Sequence, residues 1–196
     1  MGRDRDPFDR TLLALRNRLS ASGPLQGAAL PANALAAELG VSSTPVREAL
    51  AWLAGEGLIC RTRSGYAARI HDRVSLVELY GLLSVLSEVA VRGGLLPPAV
   101  PSVDESALLE RGDGLDRLAS RVANLALAAS ITRAFAQLAP FRRAEEVVLG
   151  GQEREALSTL IEEGASAGLL ARALRAFYRR RARHAGEILT SALGLS

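Results

Sequence analysis

One short stretch, residues 40–50 with the sequence GVSSTPVREAL, limits the fold of this chain more than any other segment. Thr44 is typical of a helix N-cap and Pro45 of a first helical residue, so a helix is predicted to begin there. Helical spacing divides its side chains between a buried face (Val46, Ala49, Leu50, Leu53) and an exposed face (Thr44, Arg47, Glu48, Ala51). A hydroxyl and a guanidinium at the leading end of a helix suit the major groove of DNA. The stretch therefore predicts a DNA-reading helix.

The composition favours a helical globular protein. With 196 residues, of which 48% are hydrophobic and only 4% aromatic, the chain can bury one large core or two small ones. All 24 basic residues are arginine, which we attribute to a GC-rich coding bias. Residues 1–73 hold ten arginines against seven acidic residues, whereas residues 74–196 hold fourteen of each. The positive excess lies in the half with the predicted DNA-reading helix, as expected of a nucleic-acid module.

Several classes of protein are excluded. The single cysteine, Cys60, does not allow an internal disulfide framework and suits a reducing cytoplasm. The N-terminus is too charged for a secretory signal, and no apolar run reaches about 18 residues, so a membrane span is not expected. We find no nucleophile–base pairing, phosphate loop or metal-ligand spacing. The prediction is a cytoplasmic protein that is not an enzyme and holds no cofactor.

The first third of the chain predicts three helices and a β-hairpin. Apolar periodicity and breaks at glycine and proline define the helices, and a turn at Ser64 and Gly65 defines the hairpin. The predicted segments are helices at 7–21, 32–39 and 44–55 and strands at 58–63 and 66–70. These are the elements of a winged helix-turn-helix, which we assign to residues 1–73.

The remainder, residues 74–196, predicts helices alone. The segment 75–92 is apolar almost all round, so we expect it to be buried on several sides. Interruptions are predicted at 97–101, 112–114, 150–151 and 164, where prolines or glycines occur. The further helices are expected at about 115–139, 141–149, 152–163 and 167–193. The predicted fold is thus mostly α: a winged helix-turn-helix followed by an all-α bundle.

The first region also follows a known family pattern. The runs LAAELGVS at 35–42, TPVREAL at 44–50 and EGLI at 56–59, together with the wing glycine Gly65, resemble the winged-helix domain of GntR-family bacterial transcription regulators. The resemblance covers residues 8–70 and implies that Arg47 contacts phosphate or guanine. Two positions depart from the family pattern. Ser43 stands where the family usually has a DNA-contacting arginine, and Ala32 stands where an acidic residue is frequent, so the usual operator is not carried over.

The helical remainder resembles the FCD effector domain of the FadR-like subgroup, by helix order and by the segments 76–80, 153–157 and 171–174. Many FCD domains hold a divalent metal with one aspartate and three histidines. The matching positions here are Asp116, Ser120, Glu153 and Tyr178 (or Phe177). These side chains lack the imidazoles of such a site, so we predict no metal. His71 and His184 are expected to be structural or exposed.

The helix and the wing together predict a set of DNA contacts. A wing usually follows the phosphate backbone or enters the minor groove, which favours Arg63 and Gly65. Thr44 can cap its helix and also meet a phosphate. For Arg16 and Arg18, solvent and phosphate are equally good alternatives. The predicted DNA-contacting residues are Ser42, Ser43, Thr44, Arg47, Arg63, Ser64 and Gly65.

Other side chains favour a structural interpretation. A basic stripe is formed by Arg172, Arg175, Arg179 and Arg183, with Arg180 and Arg181 beside it. We expect the acidic helix before it, 152–163, to neutralise this stripe, and the alternative is an anionic effector or further DNA contact. Trp52 is expected to pack on the effector domain or a dimer mate, and Glu48 to pair with a nearby arginine. Cys60 is expected in the core, with redox sensing as the alternative.

The leading hypothesis is a transcriptional regulator, and more specifically a repressor, that binds a palindromic operator in double-stranded DNA as a homodimer. Its helical domain would dimerise and sense a small-molecule effector, for example a carboxylate. The alternative is a DNA-binding regulator whose helical domain has lost small-molecule sensing. That domain would then serve only for dimerisation or protein interaction.

Overall fold

The described part of the chain consists of α-helices and one β-hairpin. The computed structural model describes residues 6–21, 23–94 and 114–195. The elements are α1 (Pro7–Ala21), α2 (Ala32–Leu39), α3 (Ser43–Gly55), β1 (Ile59–Thr62), β2 (Gly65–Ala68), α4 (Arg73–Arg92), α5 (Gly114–Ser120), α6 (Leu125–Leu138), α7 (Arg142–Leu149), α8 (Gln152–Glu162), α9 (Ala167–Arg183) and α10 (Ala185–Ala192). A 3-10 turn, Ala139–Phe141, joins α6 to α7. The prediction of a mostly α fold that begins with a winged helix-turn-helix is confirmed.

The winged-helix region, from α1 to β2, has its own apolar core. Helix α3 packs against both α1 and α2 and buries Val46, Ala49, Leu50 and Leu53, as its periodicity predicts. Leu15 of α1, Leu35 of α2 and Ile59 of β1 close the same core. Each such side chain contributes about 1.5–3 kcal/mol when it is fully buried. The apolar stripe of α3 therefore holds the helix in place and leaves its other face to solvent.

A left-handed glycine forms the turn between α2 and α3. Gly40 has φ +65°, a conformation that favours glycine because it has no side chain. The N–H groups of Gly40 and Val41 donate to the carbonyls of Ala37 and Ala36, at 3.4 and 3.1 Å. These bonds satisfy the last carbonyls of α2 and end that helix.

The N-cap and the first helical residue of α3 lie two positions before the predicted ones. The N-cap is Ser42, in extended backbone and without a side-chain capping bond, and the first helical residue is Ser43. The prediction that Thr44 is the N-cap and Pro45 the first helical residue is therefore wrong. Pro45 is tolerated as the third helical residue because N–H groups of a first turn have no helical partner.

The two-stranded hairpin is joined by one isolated β-bridge, Ala29 opposite Ala67. β1 and β2 pair antiparallel from Ile59 opposite Ala68 to Thr62 opposite Gly65. Residues 28–30 run along the outer side of β2: the Ala68 N–H donates to the Ala28 carbonyl at 2.9 Å, and the Leu30 N–H donates to the Tyr66 carbonyl at 2.8 Å. This third segment ties the wing to the chain between α1 and α2.

Two side chains of the winged-helix region lie elsewhere than predicted. Cys60 is exposed, because strand side chains alternate and Ile59 occupies the buried position of β1. The expectation of a core cysteine is therefore wrong. Trp52 is 55% exposed, and within the chain it contacts Phe8 of α1 edge-on, with ring centroids 6.0 Å apart. Its Nε1 donates to Glu56 at 2.9 Å, so it does not pack on the helical region.

The helical region, from α4 onward, has a second core. Helix α4 packs along α9 and also against α6, while α5 packs on α8 and α7 on α10. Its largest fully buried apolar side chains are Tyr80, Phe141, Leu76, Leu83, Leu115, Leu118, Ile131, Leu174 and Ile188. The buried clusters of the two regions share no residue.

Two predicted helices are each broken once. The segment 115–139 is interrupted at residues 121–124, where the Asn124 side chain accepts a hydrogen bond from the Leu127 N–H at 3.0 Å and caps α6. The segment 167–193 is interrupted at His184, which lies between α9 and α10. The predicted interruptions at 97–101 and 112–113 lie outside the described residues.

Helix α4 is not buried on several sides. Its inner face carries Leu76, Tyr80, Leu83, Ser87, Ala90 and Val91. Its outer face, which we call the α4 stripe, exposes Val74, Val77, Leu82, Val85 and Val89. Among the described helices, α4 alone has the length and mean hydropathy, 20 residues and 1.7, that a membrane-crossing helix would also have. A core helix of a globular bundle passes the same test, and α4 packs along α9 and α6 as such a helix does.

A buried charged cluster occupies the helical core. Arg181 is only 2% exposed, and its Nε donates to Oε2 of the equally buried Glu145 at 2.8 Å. The Tyr80 hydroxyl donates to Oε1 of Glu145 at 2.7 Å, and Arg154 approaches Oε2 at 3.3 Å. The Arg181 guanidinium also lies over the Phe177 ring, 3.3 Å from its centroid. Burial, and then the Glu145 carboxylate, raise the pKa of Tyr80 far above its ordinary value, so Tyr80 remains a neutral donor.

The basic stripe of α9 is neutralised differently from the prediction. Arg181 is part of the buried cluster rather than of an exposed face. Arg175 pairs with Glu88 of α4, and Arg180 pairs with Glu153 of α8 at 2.6 Å. The acidic helix α8 therefore supplies only part of the compensation, because α4 and not α8 is the main neighbour of α9.

Residues 69–72 connect the wing to α4. Asp72 caps α4: its carboxylate accepts from the Ser75 N–H at 2.8 Å, and its own N–H donates to the Ser75 hydroxyl at 2.9 Å. Hydrogen bonding of the carboxylate by Ser75, first from its backbone N–H and then from its side chain, lowers the pKa of Asp72. The Gln26 side chain donates to the His71 carbonyl at 2.6 Å and accepts from the His71 N–H at 2.7 Å. The connection is thus fixed at both ends by hydrogen bonds.

Candidate nucleic-acid interface

The leading end of α3 presents short polar side chains and one cation to solvent. Ser42, Thr44 and Arg47 are exposed, and Ser43 is half-buried. Ser42 makes no capping bond with its hydroxyl, so the N–H groups of the first turn remain without a side-chain partner. Free N–H groups and the helix dipole together favour an anion at such an end.

The tip of the wing is a tight two-residue turn. Arg63 and Ser64 form it between the paired residues Thr62 and Gly65, and all four are exposed. Gly65 has φ +133°, which strains any residue with a side chain, so this position requires glycine. The Thr62 and Ser64 hydroxyl oxygens are 3.4 Å apart and stabilise the turn.

The arginines of the winged-helix region fall into two groups. Arg16 pairs with Glu56 at 2.6 Å and Arg18 pairs with Glu38, so these two are internal ion pairs rather than free contacts for solvent or phosphate. Arg47, Arg61 and Arg63 are exposed and have no carboxylate partner within the described ranges 6–21, 23–94 and 114–195. Unpaired positive charge in the described part of the region therefore lies on α3 and on the wing, and also at Arg10 of α1 and Arg69 just after β2.

Most predicted contact residues belong to one rigid unit, since α3 packs directly against β1.

Glu48 differs from the expectation: it is exposed, and in the described part of the chain it has no arginine partner. Arg69, just after β2, donates to the Gly57 carbonyl at 3.1 Å instead of extending the wing. The β-bridge at residues 28–30 was not predicted because this segment lacks β-branched and aromatic residues.

No group of three or more His, Cys, Asp or Glu side chains that could hold a metal ion occurs among the described residues. Of the positions matched to the metal ligands of FCD domains, Glu153 pairs with Arg180, and Tyr178 is buried. The side chain of Asp116 lies outside the described residues. His184 pairs with Glu187 at 3.1 Å, and His71 is buried beside the Phe141 ring.

Comparison with known proteins agrees with this geometry. Residues 9–67 match the family described as "Bacterial regulatory proteins, gntR family". The winged-helix region is therefore similar to the gntR-family domain. The matched segment contains most of α1, all of α2, α3 and β1, and the tip of the wing. It therefore includes every residue of the predicted DNA-contacting set. The family is regulatory by its description.

One curated relative is the Nta operon transcriptional regulator of Aminobacter aminovorans, which is 46% identical over 59 residues. That match covers 30% of this chain and 28% of the relative, so the chain spans less than a third of the relative's length.

Solved structures are similar over more of the chain, but at low sequence identity. A GntR family transcriptional regulator from Pseudomonas syringae has 22% identity and a TM-score of 0.43, over 100% of this chain and 93% of that one. McbR/YncC of E. coli has 22% identity and a TM-score of 0.48, over 96% and 95%. TM-scores this low carry no argument about the helical region.

Proposed function

We propose that this protein is a sequence-specific DNA-binding transcription regulator. Residues 1–73 would form the DNA-binding domain and residues 74–196 an FCD-type domain for dimerisation and effector sensing. One observation carries the proposal: Arg47 at the leading end of α3 and Arg61 and Arg63 on the wing are exposed and have no carboxylate partner among the described residues, within a segment that matches the gntR family. In a winged helix these are the elements that meet the major groove and the adjacent backbone.

The proposed contacts divide into base reading and phosphate binding. Arg47, one turn into α3, is proposed to read a base edge, while Ser42, Ser43 and Thr44 hold phosphate with hydroxyl and N–H groups. The wing residues Arg63, Ser64 and Gly65 are proposed to follow the backbone or the minor groove. Ser43 is too short to replace a base-reading arginine, so the operator should differ from that of regulators with arginine there.

The test begins with selection of bound sequences from a random DNA pool and continues with fluorescence anisotropy on the selected site. Arg47→Ala should weaken binding by about 1–3 kcal/mol, because a guanidinium–base contact is worth that much. Arg172→Ala is the matched control, since Arg172 is an exposed arginine on α9 in the other region. Equal affinity of Arg47→Ala and wild type would refute the proposed reading helix.

We further propose that the protein acts as a homodimer and that the α4 stripe is its interface. The stripe is an exposed, mainly apolar face that also carries the exposed Glu78, and Val85 near its centre is 61% exposed. Gly81 lies within it, and a Cβ built there would meet nothing within 4 Å, so the backbone of a second copy can approach closely. An antiparallel pairing centred between Gly81 and Leu82 would bring Val74 opposite Val89, as a two-fold axis requires.

The dimer is tested by sedimentation or light scattering over a concentration series. Val85→Glu should weaken self-association at least tenfold, which corresponds to about 1.4 kcal/mol, because a symmetric dimer would bury two introduced carboxylates, one from each copy. Val147→Glu is the control, since Val147 is 72% exposed on α7, away from the stripe. Two-fold symmetry of the dimer would make the operator palindromic. A dimer that survives Val85→Glu would place the interface elsewhere.

Repression is the proposed effect on transcription, because a dimer seated on a promoter-proximal palindrome blocks access to that DNA. A reporter that carries the selected site should be expressed less when the protein is present, and Arg47→Ala should restore its expression. Higher reporter expression with the wild-type protein would identify an activator. Such a regulator acts in the cytoplasm, where its DNA is.

A second candidate for the helical domain is dimerisation without small-molecule sensing. The observation that favours it is the buried charged cluster, in which Arg181, Glu145 and Tyr80 fill the core with mutually satisfied polar groups. A domain whose core is occupied in this way has less room for an effector there. Thermal-shift screening with carboxylates and metal salts separates the two candidates, because any ligand that binds the folded state stabilises it.

A further inference from the structure

A partly enclosed cavity of about 160 Å³ lies between the winged-helix region and the helical region. One wall comes from α1 and the chain after it, including Leu19, Pro24 and Leu25. The opposite wall comes from the end of α6 and the 3-10 turn, including Ala136 and Pro140. A cavity of about 150 Å³ accommodates a benzene-sized molecule. The volume and the mainly apolar lining therefore limit the cavity to a small, compact ligand with an apolar body.

His71 lines this cavity and has an unsatisfied polar atom. The residue is only 6% exposed, and within the described ranges its Nδ1 has no hydrogen-bond partner. Two backbone bonds to Gln26 fix the residue, and the Phe141 ring packs edge-on against the imidazole with centroids 5.3 Å apart. A buried polar atom without a partner costs about 1–3 kcal/mol. A ligand that accepted a hydrogen bond from a protonated Nδ1 would remove this cost.

The charges at the cavity favour an anion. Arg16 is already neutralised by Glu56, whereas Arg69, which also lines the cavity, has no carboxylate partner among the described residues. Arg69 donates to the Gly57 carbonyl at 3.1 Å, and its guanidinium has further N–H donors. Burial, and then the charge of Arg69, lower the pKa of His71, while Asp72 raises it by less. The site thus combines a free cation with an imidazole that is held neutral.

We propose that this junction cavity binds a small monocarboxylate with a compact apolar body. The carboxylate would lie at Arg69 and His71, and the apolar body against Leu19, Leu25 and Ala136. A bound carboxylate would favour the protonated imidazole, so binding would take up a proton. Because the walls come from both regions, an occupant would also change the pose of the winged helix relative to the helical region. This last consequence rests on the proposed DNA-binding function.

The probe is benzoate, compared with the neutral benzamide of similar shape, and the readout is nitrogen NMR of the full-length protein with 15N-labelled histidine. The chain has two histidines, so His184 serves as an internal control. Benzoate should shift the His71 resonances saturably and leave those of His184 unchanged, and benzamide should bind at least tenfold more weakly. Absence of saturable binding, or equal binding of benzamide, would overturn the proposal.

Variants locate the site. Arg69→Gln should weaken benzoate binding at least tenfold, whereas Arg133→Gln, an exposed arginine on α6, should not. Ala136→Leu should exclude the ligand by filling the cavity, and its folding is checked by circular dichroism. Unchanged benzoate affinity in both Arg69→Gln and a folded Ala136→Leu would refute this location.

The link to DNA is measured separately, by anisotropy on the selected site with and without saturating benzoate. A change in DNA affinity that is absent in Arg69→Gln supports the coupling, and no change refutes it. If no DNA sequence is selected while benzoate still binds, the proposed function fails and the carboxylate site stands. If DNA binds and benzoate does not, the proposed function stands and the site fails.

Discussion

Replacing Arg181 with methionine tests how much the buried charged cluster contributes to stability. The substitution removes the 2.8 Å bond to Glu145 and the guanidinium over Phe177, and it leaves a carboxylate that is 2% exposed. Breaking a buried ion pair costs about 3–5 kcal/mol. Glu145 keeps the Tyr80 hydroxyl at 2.7 Å and Arg154 at 3.3 Å, which favours the lower end of that range. We therefore expect a loss of about 3 kcal/mol, to which the lost cation–π contact adds roughly 1 kcal/mol.

The assay is urea unfolding followed by circular dichroism, with thermal unfolding as a second measurement. For a chain of about this length each kcal/mol lowers the melting temperature by about 2–4 °C, so we expect a decrease of about 6–16 °C. Trp52 is the only tryptophan, and it lies in the winged-helix region. Its fluorescence therefore shows whether that region unfolds together with the helical one.

Two further variants make the result interpretable. Arg175→Met breaks the more exposed pair with Glu88 and should cost no more than about 1 kcal/mol. The double variant Arg181→Met and Glu145→Gln removes both charges. Its loss of unfolding free energy should be smaller than the sum of the two single-variant losses by about 0.5–3 kcal/mol. A loss below about 1 kcal/mol for Arg181→Met alone would show that water solvates the pair, and the reasoning would be wrong.

Four other predictions concern single residues. Burial lowers the pKa of His71, so below about pH 6.5 the unfolded chain binds a proton that the folded chain does not. The free energy of unfolding should therefore fall as the pH decreases below about 6.5. Urea unfolding at several pH values should show a smaller decrease for His71→Gln. Asn124→Ala should cost about 1 kcal/mol by removing the cap of α6, and Asn124→Asp, which can still cap, should not. Gly40→Ala should cost about 1–2 kcal/mol because its φ is +65°, measured by thermal unfolding against Gly55→Ala as a control in ordinary helical backbone. Cys60 should react with a thiol reagent in the native protein as fast as in urea, and strong protection would contradict its exposure.

Local pattern was sufficient to predict the winged-helix region. The buried face of α3 follows from a period that depends only on backbone geometry, so Val46, Ala49, Leu50 and Leu53 could be assigned without knowing their neighbours. The exposed position of Arg47 follows from the same period. The start of α3 was displaced because Ser42, Ser43 and Thr44 are all suitable caps, and only the backbone decides between them.

Features that depend on distant partners could not be predicted in this way. Arg181 has the same sequence surroundings as the exposed arginines beside it, and its burial depends on Glu145, 36 residues earlier. The ion pair between Arg16 and Glu56 joins residues 40 apart, which removed Arg16 from the candidate DNA contacts. The junction cavity likewise arises only when α1 and the end of α6 are brought together.

The connection at residues 69–72 is short and hydrogen-bonded, so a change in the tilt of α4 should move the wing with it. The 20 residues of α4 span about 30 Å at 1.5 Å per residue. A tilt of about 6° at one end moves the other end by about 3 Å, close to the 3.4 Å between successive base pairs along one strand. In a dimer held by the α4 stripe, the crossing angle of the two α4 helices would therefore determine the distance between the two DNA half-sites. A bulkier residue at Gly81 would then change which operator spacing is preferred, by about one base pair, rather than weaken all operators alike.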